Sequence, residues 1–141
     1  MTYVVDASVA VKWVLKEIDS DKADALRNAF RSAVHDLISP SVFTIEAAHA
    51  LTRAERQKRI AVGEARKLLI DVLTTPPRIV PFESLLLQAL DISSNMRIGV
   101  YDCLYVALAE QVKCELVTAD TTMVNALRKD YPFIRALATM P

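Results

Sequence analysis

Residues 101–120 read YDCLYVALAEQVKCELVTAD, and this stretch decides the fold because a helix is followed directly by a strand. Tyr101 to Val112 is strongly apolar, which is typical of a helix at the centre of a domain. Glu115 to Thr118 is a short β-favouring run. Short apolar strands flanked by helices favour a parallel sheet that is covered on both faces.

The same alternation of strands and helices continues along the rest of the chain. Further strands are predicted over residues 3–5, 37–39, 78–80 and 133–134. Further helices are predicted over residues 9–15, which Ser8 can cap, and over 20–34, 41–58, 62–73, 83–95 and 121–129. In two of these helices the residues predicted to face inward are Val42, Ile45, Ala48 and Leu51, and then Leu86, Leu87 and Leu90. Without a linker or repeat, residues 1–141 are expected to form a single three-layer α/β domain with a short-stranded central parallel sheet flanked by helices.

Composition excludes several classes of protein. The chain has 141 residues, of which 52% are hydrophobic, so it can bury a core. With only two glycines it has no glycine-rich phosphate loop. No apolar run is long enough to span a bilayer, and the N-terminus does not resemble a signal peptide. We therefore expect a cytoplasmic protein without a membrane association, in which both cysteines are buried thiols rather than zinc ligands.

The charges are balanced overall but unevenly distributed. The net charge is zero, from 17 basic and 17 acidic residues, whereas nucleic-acid-binding proteins are usually basic. Residues 53–67 nevertheless contain six lysines and arginines against two glutamates. Within this stretch Arg53 and Arg56 could contact a phosphate backbone. The alternative, which this feature alone favours, is a solvated helix face of neighbouring Glu and Arg side chains.

Four acidic residues stand at informative places. Asp6 ends the first strand, and Asp120 follows the strand over 115–118, so both lie at the sheet edge where ligands of open α/β folds bind. Asp102 begins the apolar helix, and Glu46 lies inside another helix among apolar residues. None of the four has a Lys or Arg beside it in sequence. Because a buried unpaired carboxylate is costly, a shared divalent cation would satisfy all four.

Each acid also has an ordinary explanation. Asp6 could simply terminate a strand, Asp102 and Asp120 could cap helices, and Glu46 could point to water. Their occurrence together favours a common role. Carboxylate ligands suit Mg²⁺ or Mn²⁺, which is the chemistry of metal-assisted phosphodiester hydrolysis. No Ser-His-Asp or Cys-His pairing is evident.

Four segments of the chain together resemble a known family. They are YVVDASVAVKW (residues 3–13), IEAAHAL (45–51), YDCLYVALAE (101–110) and LVTAD (116–120). In their order and spacing they resemble the VapC-type ribonuclease toxins of the PIN-domain family. The resemblance implies a PIN fold and endonucleolytic cleavage of RNA by metal-activated water. It further implies a cognate VapB-like antitoxin and a homodimer.

The resemblance also assigns roles to individual residues. It implies that the catalytic acids, which hold Mg²⁺ or Mn²⁺, are Asp6, Glu46, Asp102 and Asp120. Thr118 falls on the family's Thr-x-Asp position, where a hydroxyl can orient a water or an acid, and Ser8 is a further donor at the same strand end. His49 replaces an Asn that is frequent in the family. It could be a metal ligand, an RNA contact or a proton shuttle, although we expect it to replace that Asn as a hydrogen-bonding partner.

Several side chains near these motifs have two interpretations. Lys12 could contact a phosphate or pair with an acid such as Glu17. Trp13 could stack on a base, but we expect it to pack in the core or at an interface. Tyr101 and Tyr105, one turn apart on the motif helix, are likewise expected in the core rather than on RNA.

Two other functions are compatible with an α/β fold of this kind. An inert PIN-like module that only binds RNA or a protein partner would keep the fold but not bind metal. A receiver-like signalling domain needs a phosphate-accepting Asp at the end of a central strand. No such Asp follows the strands at residues 37–39 and 79–80, which disfavours this alternative.

Overall fold

Five short parallel strands form the centre of the structure, a computed structural model that describes all 141 residues. The strands are β1 (Thr2–Val5), β2 (Asp36–Pro40), β3 (Arg78–Val80), β4 (Glu115–Thr118) and β5 (Ile134–Ala136). They are hydrogen-bonded in the order β3-β2-β1-β4-β5, and every pair is parallel. The predicted short-stranded parallel sheet is therefore confirmed.

Seven α-helices flank the sheet. They are α1 (Ala7–Val14), α2 (Ser20–Arg31), α3 (Phe43–Arg56), α4 (Glu64–Val72), α5 (Leu86–Met96), α6 (Val100–Val112) and α7 (Thr121–Leu127). Short 3₁₀ helices precede α5 (Phe82–Leu85) and end the chain (Leu137–Thr139). No helix has the length and apolar character needed to cross a membrane.

The core lies on both faces of the sheet, because successive strand residues point to opposite sides. Val4 and Leu116 belong to a cluster with α5, α6 and α7, whereas Val5 and Val117 belong to a cluster with α1 and α2. Residues Cys103 to Ala109 of α6 are all buried, as predicted for a central helix. The chain thus forms three layers, with the sheet in the middle.

The position of β1 creates the crevice in which ligands of such folds bind. β1 pairs with β2 on one side and with β4 on the other. Val5 is in register with Val117, which places the next residues, Asp6 and Thr118, side by side. In open parallel sheets the strand order reverses at such a point, and ligands bind beyond the carboxyl ends of the strands.

The predicted inward face of α3 is partly wrong. Val42 and Leu51 are buried as expected, but Ile45 is 65% exposed and Ala48 only half-buried. The residues that α3 itself buries are Phe43, Ala47, Leu51 and Ala54. Apolar residues of α3 occur on several of its faces, so the 3.6-residue period alone does not predict which face is buried. Packing against α1 and α4, where Leu51 meets Val11 and Ala65, makes the choice.

The predicted inward face of α5 is wrong throughout. Leu86, Leu87 and Leu90 are 40%, 78% and 52% exposed, whereas Leu85, Ala89 and Ile92 are buried. The 3₁₀ turn that precedes α5 has three residues per turn, which shifts the phase of the residues that follow it. Ala89 and Ile92 belong to the same buried cluster as α6, and the large leucines remain at the surface.

Candidate active site

Asp6 is the hydrogen-bonded centre of the cluster at the carboxyl ends of β1 and β4. It is the N-cap of α1, a role that we predicted for Ser8, and its Oδ1 accepts from the Ser8 backbone N–H at 3.1 Å. The Ser8 hydroxyl donates to the same oxygen and accepts from the Ala119 N–H at 2.9 Å. The Thr118 hydroxyl donates to Asp6 Oδ2 at 2.5 Å. Both oxygens of the buried Asp6 are thus fixed by groups from two strand ends.

Asp120 lies at the same edge, exposed to solvent. Its backbone N–H donates to Thr118 Oγ1 at 3.0 Å, and its Oδ1 caps α7 by accepting from the Met123 N–H at 3.1 Å. The capping role therefore exists, and it occupies only one carboxylate oxygen. Asp102 differs, because the N-cap of α6 is Gly99 and Asp102 lies one turn further on. The structure therefore does not show the helix-capping role that was the alternative explanation for Asp102.

Glu46 is held by a residue that the sequence did not identify as functional. The Tyr105 hydroxyl donates to Glu46 Oε1 at 2.6 Å, and Tyr105 itself is only 1% exposed. Glu46 is half-buried and therefore does not simply point to water. Tyr105 follows Asp102 by three residues on α6, so the two side chains share a helix face. That spacing was the available signal for its role.

Burial and mutual repulsion both disfavour the charged forms of Asp6, Glu46 and Asp102. Burial raises the pKa of Asp6 to about 6, despite the hydrogen bonds from Ser8 and Thr118. Burial also raises the pKa of Glu46 and of Asp102. The Asp102 charge adds to the shifts of Asp6 and Glu46, and the Asp120 charge adds to that of Asp102. Asp102 is therefore the electrostatic centre of the four.

No Lys or Arg side chain neutralises this group of carboxylates. None of Asp6, Glu46, Asp102 and Asp120 takes part in an ion pair, although six ion pairs occur elsewhere in the chain. No three acidic, His or Cys groups lie close enough together to bind one ion jointly. Mg²⁺ commonly uses only one or two carboxylates and completes its shell with water. Because no three of them converge, these carboxylates fit a hydrated divalent cation that one or two of them hold directly and the others hold through water.

A model of the PIN-domain family matches residues 3–128 of the chain. The chain belongs to the PIN-domain family. It is 32% identical over 129 residues to "VapC ribonuclease Mb0985" from Mycobacterium bovis, a match that covers 92% of this chain and 94% of the relative. Membership in this family excludes the receiver-like signalling domain that was considered as an alternative function.

Solved structures show the same fold for this PIN domain. PAE2754 from Pyrobaculum aerophilum superposes with a TM-score of 0.68 at 22% identity, covering 99% of this chain and 94% of that one. VapBC2 from Rickettsia felis, solved with a promoter DNA fragment, superposes with a TM-score of 0.65 at 14% identity. That match covers 96% of this chain and 98% of the other.

Basic residues of the PIN domain lie on the Asp120 side of the carboxylates. A groove of about 270 Å³ there is lined by Ser8, Lys12, Arg53, Arg59 and Asp120, among others. Lys12 is buried and donates to Glu17 Oε1 at 3.2 Å and to the Ile18 carbonyl at 2.9 Å. The pairing that we considered as its alternative role is thus present. Arg53 is exposed and forms no ion pair, whereas Arg56 lies outside this groove.

The remaining side chains of interest divide between core and surface. His49 is exposed, its charge lowers the pKa of Glu46, and its imidazole forms no hydrogen bond within the chain. Trp13 is 3% exposed and donates to the Ala23 carbonyl at 3.0 Å, so its predicted core position is confirmed. Tyr105 is also buried. The same prediction for Tyr101 is wrong, because this ring is 58% exposed.

Proposed function

We propose that this PIN domain is a divalent-metal-dependent endoribonuclease, the toxin of a toxin–antitoxin pair. The observation that carries the proposal is a group of four carboxylates without an ion-pair partner: Asp6 and Asp120 follow β1 and β4, and the Asp102 charge acts on both Asp6 and Glu46. The relative named VapC ribonuclease, which aligns with 92% of the chain, supports the same activity. We propose Mg²⁺ or Mn²⁺ as the cation, because both prefer oxygen ligands.

Three of the four acids offer different parts of the site. Asp6 is held rigid by Ser8 and Thr118 and provides a fixed negative charge. Asp102 forms no hydrogen bond, so both of its oxygens are available as ligands. Tyr105 holds Oε1 of Glu46, which leaves Oε2 of that residue available as a ligand. When bound, the cation supplies water activation and charge neutralisation for phosphodiester hydrolysis.

The basic groove beside Asp120 supports an RNA substrate. Arg53 is free to pair with a phosphate, and Arg59 and Lys12 line the same groove while sharing Glu17. Arg–phosphate contacts position a nucleic acid without reading its sequence. We propose that Arg53 contacts the RNA backbone next to the carboxylates, with Arg56, one turn nearer the end of α3, as a further contact.

We further propose a VapB-like antitoxin and a second copy of the chain as protein partners. The VapBC2 complex supports an antitoxin. Large apolar side chains at the surface, such as Val62 (91% exposed) and Leu87 (78% exposed), provide contact area for both kinds of partner.

The two free thiols support a cytoplasmic location, because thiols persist in reducing compartments.

Cleavage of a mixed cellular RNA pool tests the proposed activity. The purified, antitoxin-free protein is incubated with Mg²⁺ or Mn²⁺, beside a reaction with EDTA. Asp102→Asn is the inactive variant, and Asp91→Asn on the exposed part of α5 is the matched control. We expect discrete cuts with wild type and Asp91→Asn, and none with EDTA or Asp102→Asn. A folded wild-type protein that binds Mn²⁺ but cuts no RNA would contradict the assignment and favour an inert binding module.

A further inference from the structure

A second groove, of about 660 Å³, lies on the other side of the carboxylates. Its lining residues come from α3 and α6 and are Ile45, Glu46, Ala48, His49, Thr52 and Tyr101. Its volume falls within the roughly 300–1,000 Å³ of typical small-molecule sites. Glu46 belongs to both this groove and the carboxylate group, so the groove adjoins the carboxylates at this side chain.

The apolar part of this groove consists of two side chains that the rest of the chain leaves uncovered. Ile45 is 65% exposed and Tyr101 is 58% exposed, although the sequence pattern predicted both in the core. Each is the chain neighbour of a site acid, Ile45 of Glu46 and Tyr101 of Asp102. The polar His49 and Thr52 complete the lining. An aromatic ring, an aliphatic contact and polar groups at the rim match the chemistry of a nucleobase.

We propose that this groove binds one unpaired nucleobase of the RNA, adjacent to the phosphate that is cut, with Tyr101 as its stacking surface. The inference rests on the proposed ribonuclease function and extends it to substrate selection. A base in this groove belongs to a nucleotide whose phosphate lies over the carboxylates, because Glu46 lines both sites. The strand then continues toward Arg53 in the basic groove. His49 and Thr52 are placed to contact the edge of the base and to distinguish one base from another.

Charge favours RNA over an apolar protein surface as the occupant. An apolar protein side chain in the groove would cover the Glu46 carboxylate, which lines it, without offering that carboxylate a polar partner. A single-stranded RNA segment keeps that carboxylate next to a hydrated, cation-bound phosphate. RNA-binding proteins read sequence mostly in this way, from splayed bases stacked on aromatic rings.

The test uses a short single-stranded RNA that spans a cut site found in the pool experiment. It carries 2-aminopurine at one position at a time, and Asp102→Asn is present in every protein so that the RNA is only bound. We expect strong fluorescence quenching at one position next to the cut, retained in Tyr101→Phe and lost in Tyr101→Ala. Affinity falls in Tyr101→Ala by roughly 5- to 150-fold, the range for one lost base–aromatic stack. The salt dependence of binding stays unchanged, because no phosphate contact is lost.

Arg53→Ala is the matched control for a phosphate contact. It lowers the salt slope by about 0.7, as expected for one single-strand phosphate, and leaves the quenching intact. Unchanged affinity and quenching in Tyr101→Ala would overturn the nucleobase site alone, while metal-dependent cleavage by the wild type still upholds the ribonuclease. A change from dimer to monomer in Tyr101→Ala on analytical ultracentrifugation would assign the groove to a protein interface and would also overturn the proposal.

Discussion

Asp102 shows most clearly how the site departs from what stability alone would select. It is half-buried, lacks a hydrogen bond and an ion pair, and is repelled by Asp120. A protein selected only for stability would not place a carboxylate there, since every neighbouring charge disfavours it. Functional sites are where such local conflicts persist, because the ligand removes them. The conflict at Asp102 therefore supports the cation site that we propose.

Replacement of Asp102 by Asn should therefore stabilise the metal-free protein while it removes activity. The neutral amide keeps the shape and relieves the repulsion from Asp120 and Glu46. We expect a gain of roughly 0.5–2 kcal/mol, the range for improved charge arrangements. Thermal unfolding in EDTA measures it. Asp91→Asn, on exposed α5, should change stability by less than about 0.5 kcal/mol. A destabilised Asp102→Asn protein would show that the carboxylate has a structural partner.

Tyr105→Phe tests whether the hydroxyl positions Glu46. The ring remains in the core, so the fold is retained, but Glu46 Oε1 loses its donor. We expect metal affinity or cleavage to fall by roughly 10- to 100-fold, as for other residues that orient metal ligands. Mn²⁺ titration together with kcat and KM separates this effect from a general loss of stability.

Tyr131→Phe is the matched control for this variant. Tyr131 is half-buried against the core, and its hydroxyl has no hydrogen-bond partner in the chain. Cleavage and Mn²⁺ affinity should equal those of the wild type. If Tyr105→Phe also retained both, Glu46 would not depend on Tyr105 for its orientation.

At the scale of elements, the sequence predicts what depends on local composition. The central strands β1, β2 and β4 and the middle of α6 are mostly apolar, so their burial follows without knowledge of their neighbours. The four acids could be found because they stand out at strand ends or within apolar helices. The Glu46–Tyr105 contact could not, because it joins residues 59 positions apart. The faces of α3 and α5 depend on tertiary packing for the same reason.

The leucines of α5 provide a direct test of its orientation. Leu85 is fully buried, whereas Leu87, two residues further, is 78% exposed. Leu85→Ala should cost about 2–5 kcal/mol of unfolding free energy, as for other buried leucines. Leu87→Ala should change it by less than about 0.5 kcal/mol. Chemical denaturation at several protein concentrations measures both. Equal losses that do not depend on concentration would contradict the observed helix phase.

Across the whole molecule, α3 connects two different surfaces. Its first turns carry Ile45, Glu46 and His49 along the proposed nucleobase groove. Its later turns carry Arg53 and Gln57 along the basic groove beside Asp120. The zero net charge of the chain therefore conceals a local separation of charge. The net charge of the sequence argued against nucleic-acid binding. It is a sum over the whole chain and does not show how the fold distributes charges between surfaces. Asp120 lines the basic groove and Glu46 lines the other, so an RNA strand that occupied both grooves would pass these carboxylates.

The cation and the protons should compete for this site, and the competition should be visible in the stability of the whole protein. Burial raises the pKa of Asp6 from 3.8 to about 6, so the folded state binds this proton more tightly than the unfolded state. The resulting stabilisation is complete below pH 3.8 and is lost as the pH rises through about 6. At about 1.4 kcal/mol per pH unit, this one group contributes on the order of 3 kcal/mol.

In EDTA, the protein should therefore be less stable at pH 7.5 than at pH 5. Excess Mg²⁺ or Mn²⁺ should reverse that trend, because the cation binds only the charged carboxylates. At 100 times its Kd a ligand adds about 2.7 kcal/mol to the unfolding free energy. Chemical denaturation at the two pH values, with and without metal, measures both effects. Asp6→Asn should weaken both the pH dependence and the metal response, and Asp91→Asn should preserve them. A metal effect that is equal at both pH values would show that the cation does not bind these carboxylates.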